Sequence, residues 1–131
     1  MTDPLTKRCP FCPPKEHEIL ETHPLAVAIT DSNPLTNGHS LVIPCRHVAS
    51  FFDLTPEERL AIGEVLDRVK AKLDTKHAPD AYNIGINDGA AAGQTVMHLH
   101  VHLIPRYKGD ADDPRGGVRW IFPRKADYWS K

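Results

Sequence analysis

The run Gly93-Gln94-Thr95-Val96-Met97-His98-Leu99-His100-Val101-His102-Leu103-Ile104-Pro105-Arg106 decides how the rest of the chain is read. His98, His100 and His102 alternate with Leu99, Val101 and Leu103, and a polar/apolar period of two is the pattern of a half-buried β-strand. Side chains on a strand point alternately to opposite faces. The three imidazoles therefore share one face, neighbours about 6.5–7 Å apart, while the aliphatic residues face a core. Thr, Lys or Glu would solvate an exposed face equally well, so three imidazoles in this register point to a functional site.

Just upstream, Ala81 to Asn87 reads as another strand, ended by the turn signal Asn87-Asp88-Gly89. Ala90-Ala91-Ala92-Gly93 then leads into the histidine strand, so the two are expected to be antiparallel neighbours. The small residues between them leave room for a ligand to approach the backbone. Further back, Thr55-Pro56-Glu57-Glu58 carries a helix cap, a proline at the tolerated first position and a capping-box glutamate. Leu60, Ile62, Val65, Leu66, Val69 and Leu73 recur near helical spacing, predicting one amphipathic helix from about Pro56 to Asp74. Glu18 to Thr22, Leu25 to Thr30 and His39 to Pro44 read as strands. Asp31 to Gly38 between the last two is a loop by composition. The fold class is therefore α+β: an antiparallel sheet of about five strands with the long helix across one face.

The chain has 131 residues and a net charge of −1 with the two signs interspersed. That is the size of one domain, residues 1–131, in which 107–131 is expected to be an irregular tail, with Val118 to Phe122 as a last short strand. No broad basic field is present to bind nucleic acid or a membrane surface. Met1 to Arg8 is polar and lacks the apolar centre of an export signal, and no run is long enough to span a bilayer. Three cysteines, an odd number, suit a reducing cytoplasm better than a disulfide framework. Cys9 and Cys12, at Cys-x-x-Cys spacing, make half of a tetrahedral zinc site. A redox pair would want a preceding strand and a following helix, and Pro13-Pro14 argues against the helix. Cys45 is expected to be a buried, inert thiol. His17, His23 and His77 show no partner pattern.

Gln94-Thr95-Val96-Met97-His98-Leu99-His100-Val101-His102-Leu103-Ile104 resembles the signature of the histidine-triad family, His-φ-His-φ-His-φ-φ with φ apolar. The flanks Gly93-Gln94-Thr95-Val96, Pro105-Arg106 and Gly109-Asp110 resemble its fragile-histidine-triad branch more than its phosphoramidase branch. The likeness runs back to Cys9. It implies a nucleotide hydrolase or transferase with His100 as nucleophile on an α-phosphate, oriented by the main-chain carbonyl of His98. It further implies His102, His39 and Gln94 as catalytic partners, and Asp31, Asn87, Gly93, Gln94, Thr95 and His102 as nucleotide contacts. By the same resemblance Cys9, Cys12, His47 and His98 would hold a structural zinc, and the protein would be a homodimer. The flanks favour dinucleoside polyphosphates of the diadenosine tetraphosphate type. Three alternatives stay open: a phosphoramidase of the same family, a metallohydrolase using the His-x-His pair, and a nucleotide-binding module that does not turn its ligand over. Arg115, Arg119 and Arg124 are read as solvated charge.

Overall fold

The computed structural model describes residues 9–130, and the expectation about Met1–Arg8 lies outside them. Five strands, β1 (Ile19–Thr22), β2 (Ala26–Thr30), β3 (Ser40–Pro44), β4 (Ala81–Gly85) and β5 (Val101–Arg106), form one antiparallel sheet in the order β1-β2-β3-β5-β4. The helix α1 (Pro56–His77) packs across one face. Among the described residues, no helix is long and apolar enough to cross a membrane.

Strand parity sorts the side chains. Ala26, Ala28, Val42, Leu99, Val101 and Leu103 face α1 and meet Ala61, Ile62, Val65, Val69 and Leu73 in the main core. Each fully buried Val, Leu or Ile contributes about 1.5–3 kcal/mol relative to exposure. Val27, Ile29, Leu41 and Ile43 form a second cluster on the other face. His102 pairs with Leu41 across β3 and β5, so the histidines belong to that second face, away from the helix.

The helix begins where its cap predicts. Thr55 Oγ1 accepts from the Glu58 N–H at 3.1 Å, and Glu58 Oε1 accepts from the Thr55 N–H at 2.9 Å. It runs past Asp74 to His77, ending where Ala78 turns left-handed (φ 47°) and donates to the Asp74 carbonyl. Leu60, counted in the apolar stripe, is 65% exposed. Its place is taken by Ala61, because the buried line runs through 58, 61, 62, 65, 69 and 73.

Glu58 is buried and also receives Arg46 Nε at 3.1 Å and Nη2 at 2.8 Å. Arg46 above all, then the Thr55 amide, holds its carboxyl down at about 2. Glu58→Ala is expected to cost about 2–4 kcal/mol, a lost cap plus charge-assisted hydrogen bonds. The exposed neighbour substitution Glu57→Ala should cost under about 0.5 kcal/mol. Urea denaturation of the two variants checks this, and equal losses would contradict it.

Val118 to Phe122, expected as a strand, instead falls in a 3-10 helix, Gly117–Ile121, and its C-cap Phe122. Gly116 and Gly117 both have positive φ (89° and 45°), which turns the chain away from an extended path. The tail folds largely on itself. Arg115 pairs with Asp113 and stacks on Trp129, and Arg119 donates to the Ala126 and Lys125 carbonyls. These two arginines are therefore spent inside the tail rather than simply solvated.

Candidate active site and metal centre

The assigned strand β5 begins at Val101, so His98 and His100 lie in the extended segment entering it, and only His102 sits in the sheet ladder. The alternation survives in burial: Leu99, Val101 and Leu103 are buried, and His100 and His102 are half-buried. His98 departs from the pattern, being 0% exposed. Its two ring nitrogens explain why. Nε2 lies 2.8 Å from the Pro44 carbonyl, which makes it the protonated nitrogen and leaves Nδ1 with its lone pair. Nδ1 in turn lies 3.4 Å from Cys9 Sγ, 3.2 Å from Cys12 Sγ and 3.2 Å from His47 Nδ1. Cys12 Sγ is 3.2 Å from His47 Nδ1.

Cys9, Cys12, His47 and His98 thus bring four ligand atoms within 4.8 Å of one another. Tetrahedral zinc, with Zn–S near 2.3 Å and Zn–N near 2.0–2.1 Å, separates its ligand atoms by roughly 3.3–3.8 Å. The donor set and its spacing fit zinc. The Phe11 N–H donates to Cys9 Sγ at 3.4 Å, a bond that suits a thiolate, and the Pro44 carbonyl fixes the His98 tautomer. Burial, then the Cys9 hydrogen bond and charge, pushes the Cys12 thiol up to about 11. A divalent cation is what would offset two crowded thiolates.

A second group forms where β3 and β5 meet. His39 Nδ1 accepts from the Leu35 N–H at 3.1 Å, so a neutral His39 carries its proton on Nε2. That nitrogen lies 3.0 Å from His102 Nδ1 and 3.3 Å from Asp31 Oδ2. With His102 Nδ1 as acceptor, its Nε2–H is left as a donor. Asp31 Oδ1 takes the Asn33 N–H at 2.8 Å, closing the turn.

His100 stands between these groups and belongs to neither set of convergent donors. Its Nδ1 lies 2.9 Å from the His98 carbonyl, so Nδ1–H donates and Nε2 keeps its lone pair. The His-x-His pair does not converge on one ion: His98 aims Nδ1 at the thiols, while His100 Nδ1 is spent on the backbone.

Gln94 makes its hydrogen bonds to the backbone around it. It is 5% exposed, its Oε1 accepts from the Gly89 N–H at 2.8 Å, and its Nε2 donates to the Ala49 and Val96 carbonyls at 2.9 and 3.1 Å. Both ends of the amide brace the 89–96 loop, because a buried amide must find partners. Gly93 (φ 99°), Thr95 and Asn87 are exposed on or beside that loop.

Two residues had no sequence signal strong enough to find. Asp88 Oδ2 accepts from Phe51 N–H at 2.8 Å and Ser50 Oγ at 3.1 Å, tying the loop to the 50–51 segment. Phe11 packs on His98 and His100. The Pro105-Arg106 and Gly109-Asp110 flanks form a turn in which Arg106 grips Asp110 through Nε and Nη2, both at 2.8 Å. Cys45, expected to be buried, is exposed, since it follows the last residue of β3 and leaves the sheet.

Burial holds His39 and His102 below the ordinary histidine value. His100 and His39 add to the effect at His102, and Asp31 opposes it at both rings. The unfolded chain therefore binds protons that these folded rings refuse. Their contribution to stability is full above the unfolded pKa of 6.5 and is lost as pH falls through the folded values. The unfolding free energy from urea titration should drop between pH 7.5 and 5.5, by at most about 1.4 kcal/mol per pH unit for each group. A flat profile across that range would contradict this.

A family model described as HIT domain matches residues 14–109. The chain is 40% identical to the bifunctional bis(5'-adenosyl)-triphosphatase/adenylylsulfatase FHIT of Arabidopsis thaliana, over 71% of this chain and 52% of that one. It is 44% identical to the asymmetrical bis(5'-nucleosyl)-tetraphosphatase of Schizosaccharomyces pombe, over 66% of this chain and 47% of that one. Among solved structures, a zinc-bound histidine triad family protein from Mycobacterium smegmatis superposes with a TM-score of 0.73 at 34% identity, covering 82% and 81% of the two chains. The chain spans about half the length of these two curated relatives.

Proposed function

The chain belongs to the HIT-domain family, and on that premise we propose that it is a nucleotide hydrolase or transferase acting at an α-phosphorus through a nucleotidyl-histidine intermediate. Its substrates are dinucleoside polyphosphates of the diadenosine tetraphosphate kind. The observation that carries this reading is the His100 ring. With Nδ1–H donated to the His98 carbonyl at 2.9 Å, the neutral form of the half-buried imidazole is fixed in one tautomer and left with a lone pair on Nε2.

In the proposed reaction Nε2 of His100 attacks the α-phosphorus, an N–P bond forms, and the P–O bond to the leaving phosphate breaks. The ring becomes cationic, and the His98 carbonyl steadies the Nδ1–H. Water then attacks the same phosphorus, the N–P bond breaks with its electron pair returning to Nε2, and the nucleoside monophosphate leaves while the water's proton passes to solvent. The His102 Nε2–H is the donor assigned to a phosphoryl oxygen, kept in that tautomer by His39. Asp31 is assigned to the sugar hydroxyls, and Asn87, Gly93 and Thr95 to the phosphate chain. Gln94 is assigned to holding their loop, since its amide is already committed. Zinc held by Cys9, Cys12, His47 and His98 would supply a structural cross-link between the N-terminal segment and the sheet.

The substrate class is supported by what the named relatives act on: bis(5'-adenosyl)-triphosphate, adenylylsulfate and bis(5'-nucleosyl)-tetraphosphate. In each, a nucleotidyl phosphorus bears an anhydride, whose leaving anion needs little protonation. The test is a panel of diadenosine tri- and tetraphosphate, adenylylsulfate and adenosine phosphoramidate in 18O-water, scored by product mass. One 18O in the nucleoside monophosphate and none in the other product is expected. Cleavage of the phosphoramidate alone would overturn the substrate class, and label in the other product would overturn attack at the α-phosphorus.

A further inference from the structure

Between its two thiols the Cys9–Cys12 loop carries Phe11, and that ring reaches His100. The Phe11 N–H donates to Cys9 Sγ and the Cys12 N–H to the Cys9 carbonyl, so the loop is a tight turn that leaves Phe11 little freedom. Its ring packs against the second apolar cluster of Val27, Ile29, Leu41 and Ile43. It meets His98 edge-on at 5.7 Å and 88°, and His100 at 5.6 Å and 61°. The other ring neighbour of His100 is His102, at 5.3 Å.

Two restraints on His100 therefore pass through the four-donor cluster. One is the His98 carbonyl that takes its Nδ1–H, on a residue whose own ring is a cluster donor. The second is Phe11, set between two cluster thiols. The described segment before β1 makes no strand pairing with the sheet, which starts at Ile19. Without a cation, sulfur–nitrogen contacts of 3.2–3.4 Å are the cluster's main closure, and hydrogen bonds to thiol sulfur are weak.

We propose that Phe11 is a positioning residue that ties the orientation of the His100 ring to closure of the Cys9, Cys12, His47 and His98 cluster by a divalent cation. A closed cluster seats Phe11 against His100 and resists rotation of the imidazole about its Cβ–Cγ bond. That rotation would put Cδ2 in the place of Nδ1 and Cε1 in the place of Nε2, breaking the bond to the His98 carbonyl and turning the lone pair away. An open cluster lets Phe11 withdraw, and the ring samples both settings. In-line attack tolerates little misorientation, so the loss falls on kcat rather than on KM. The kinetic half of this proposal rests on His100 as the nucleophile; the structural half does not.

The experiment compares zinc-loaded wild type, Phe11→Ala and Phe11→Tyr labelled with 15N-histidine, at pH 8. Long-range 1H–15N spectra report the His100 tautomer, bound zinc is measured per chain, and kcat and KM are taken on diadenosine tetraphosphate. Phe11→Ala should keep its zinc, show His100 as a mixture of tautomers, and lose kcat about five- to tenfold, the size of an edge-to-face contact. KM should stay within about twofold. Phe11→Tyr, which keeps the ring, should restore both the spectrum and kcat. Stripping zinc from wild type should produce the same mixed spectrum, and stripping it from Phe11→Ala should change the His100 signal no further. A single His100 tautomer in zinc-loaded Phe11→Ala would overturn the proposal. So would a His100 response to chelation as large in that variant as in wild type. If His100→Ala kept its turnover, the nucleophile reading would fall while the spectra still decided the coupling.

Discussion

His100→Ala is expected to lower kcat by about four orders of magnitude, roughly 5.5 kcal/mol of barrier, while leaving the dissociation constant for a dinucleoside polyphosphate within about threefold. The asymmetry follows from where the ring sits. Its Nδ1 is occupied by the His98 carbonyl, and in the proposed mechanism its Nε2 contributes only when the N–P bond forms. Ground-state binding is assigned to other groups: Asp31, Asn87, Gly93, Thr95 and His102. Alkaline quenching of wild type during turnover should trap a nucleotidyl adduct on the peptide bearing His100, and the variant should show none. An adduct on a different residue, or a variant retaining a tenth of wild-type kcat, would remove His100 from the proposed mechanism. A variant that lost binding and turnover together would assign His100 to substrate binding instead.

The second large effect is expected at the cluster. Cys12→Ser removes a candidate ligand whose sulfur lies 3.2 Å from both His47 Nδ1 and His98 Nδ1. Structural zinc is worth about 10–16 kcal/mol in small domains that cannot fold without it. This chain has a core of its own around α1, so a smaller share of folding energy is at stake, about 3 kcal/mol or more. For a domain of this size that corresponds to a fall of about 10 °C in the thermal midpoint. A tight chelator should bring wild type down to the level of Cys12→Ser and leave the variant unmoved. Turnover of chelated wild type should settle near a tenth of its starting value, far above His100→Ala. Immediate and complete loss with the fold intact would instead mark a metal that takes part in the chemistry.

How far the sequence reaches is clearest at the histidines. Period-two alternation was enough to put His100 and His102 on one face and Leu99, Val101 and Leu103 on the other, because the pleat of an extended chain is a local property. The cap at Thr55 and Glu58 was likewise legible, since its partners lie three residues apart. Gln94 shows the opposite case. Its type and place resemble a substrate contact, yet besides Gly89 in its own loop it bonds Ala49, 45 residues away, and only that arrival reveals a brace. The tail strand failed for a local reason, two positive-φ glycines that hydrophobic content does not register.

Local pattern alone settled the α+β class, the helix start and the shared face of the histidines, because each depends on neighbours a few residues apart. Convergence was decided by the fold. Cys9 and His98 are 89 residues apart in the chain and 3.4 Å apart in space, and His39 reaches His102 across 63 residues. Such contacts exist only once β3 lies beside β5 and the N-terminal loop folds over that face. The tautomers of His98, His100 and His102 belong to the same class, since each is set by what the other ring nitrogen meets.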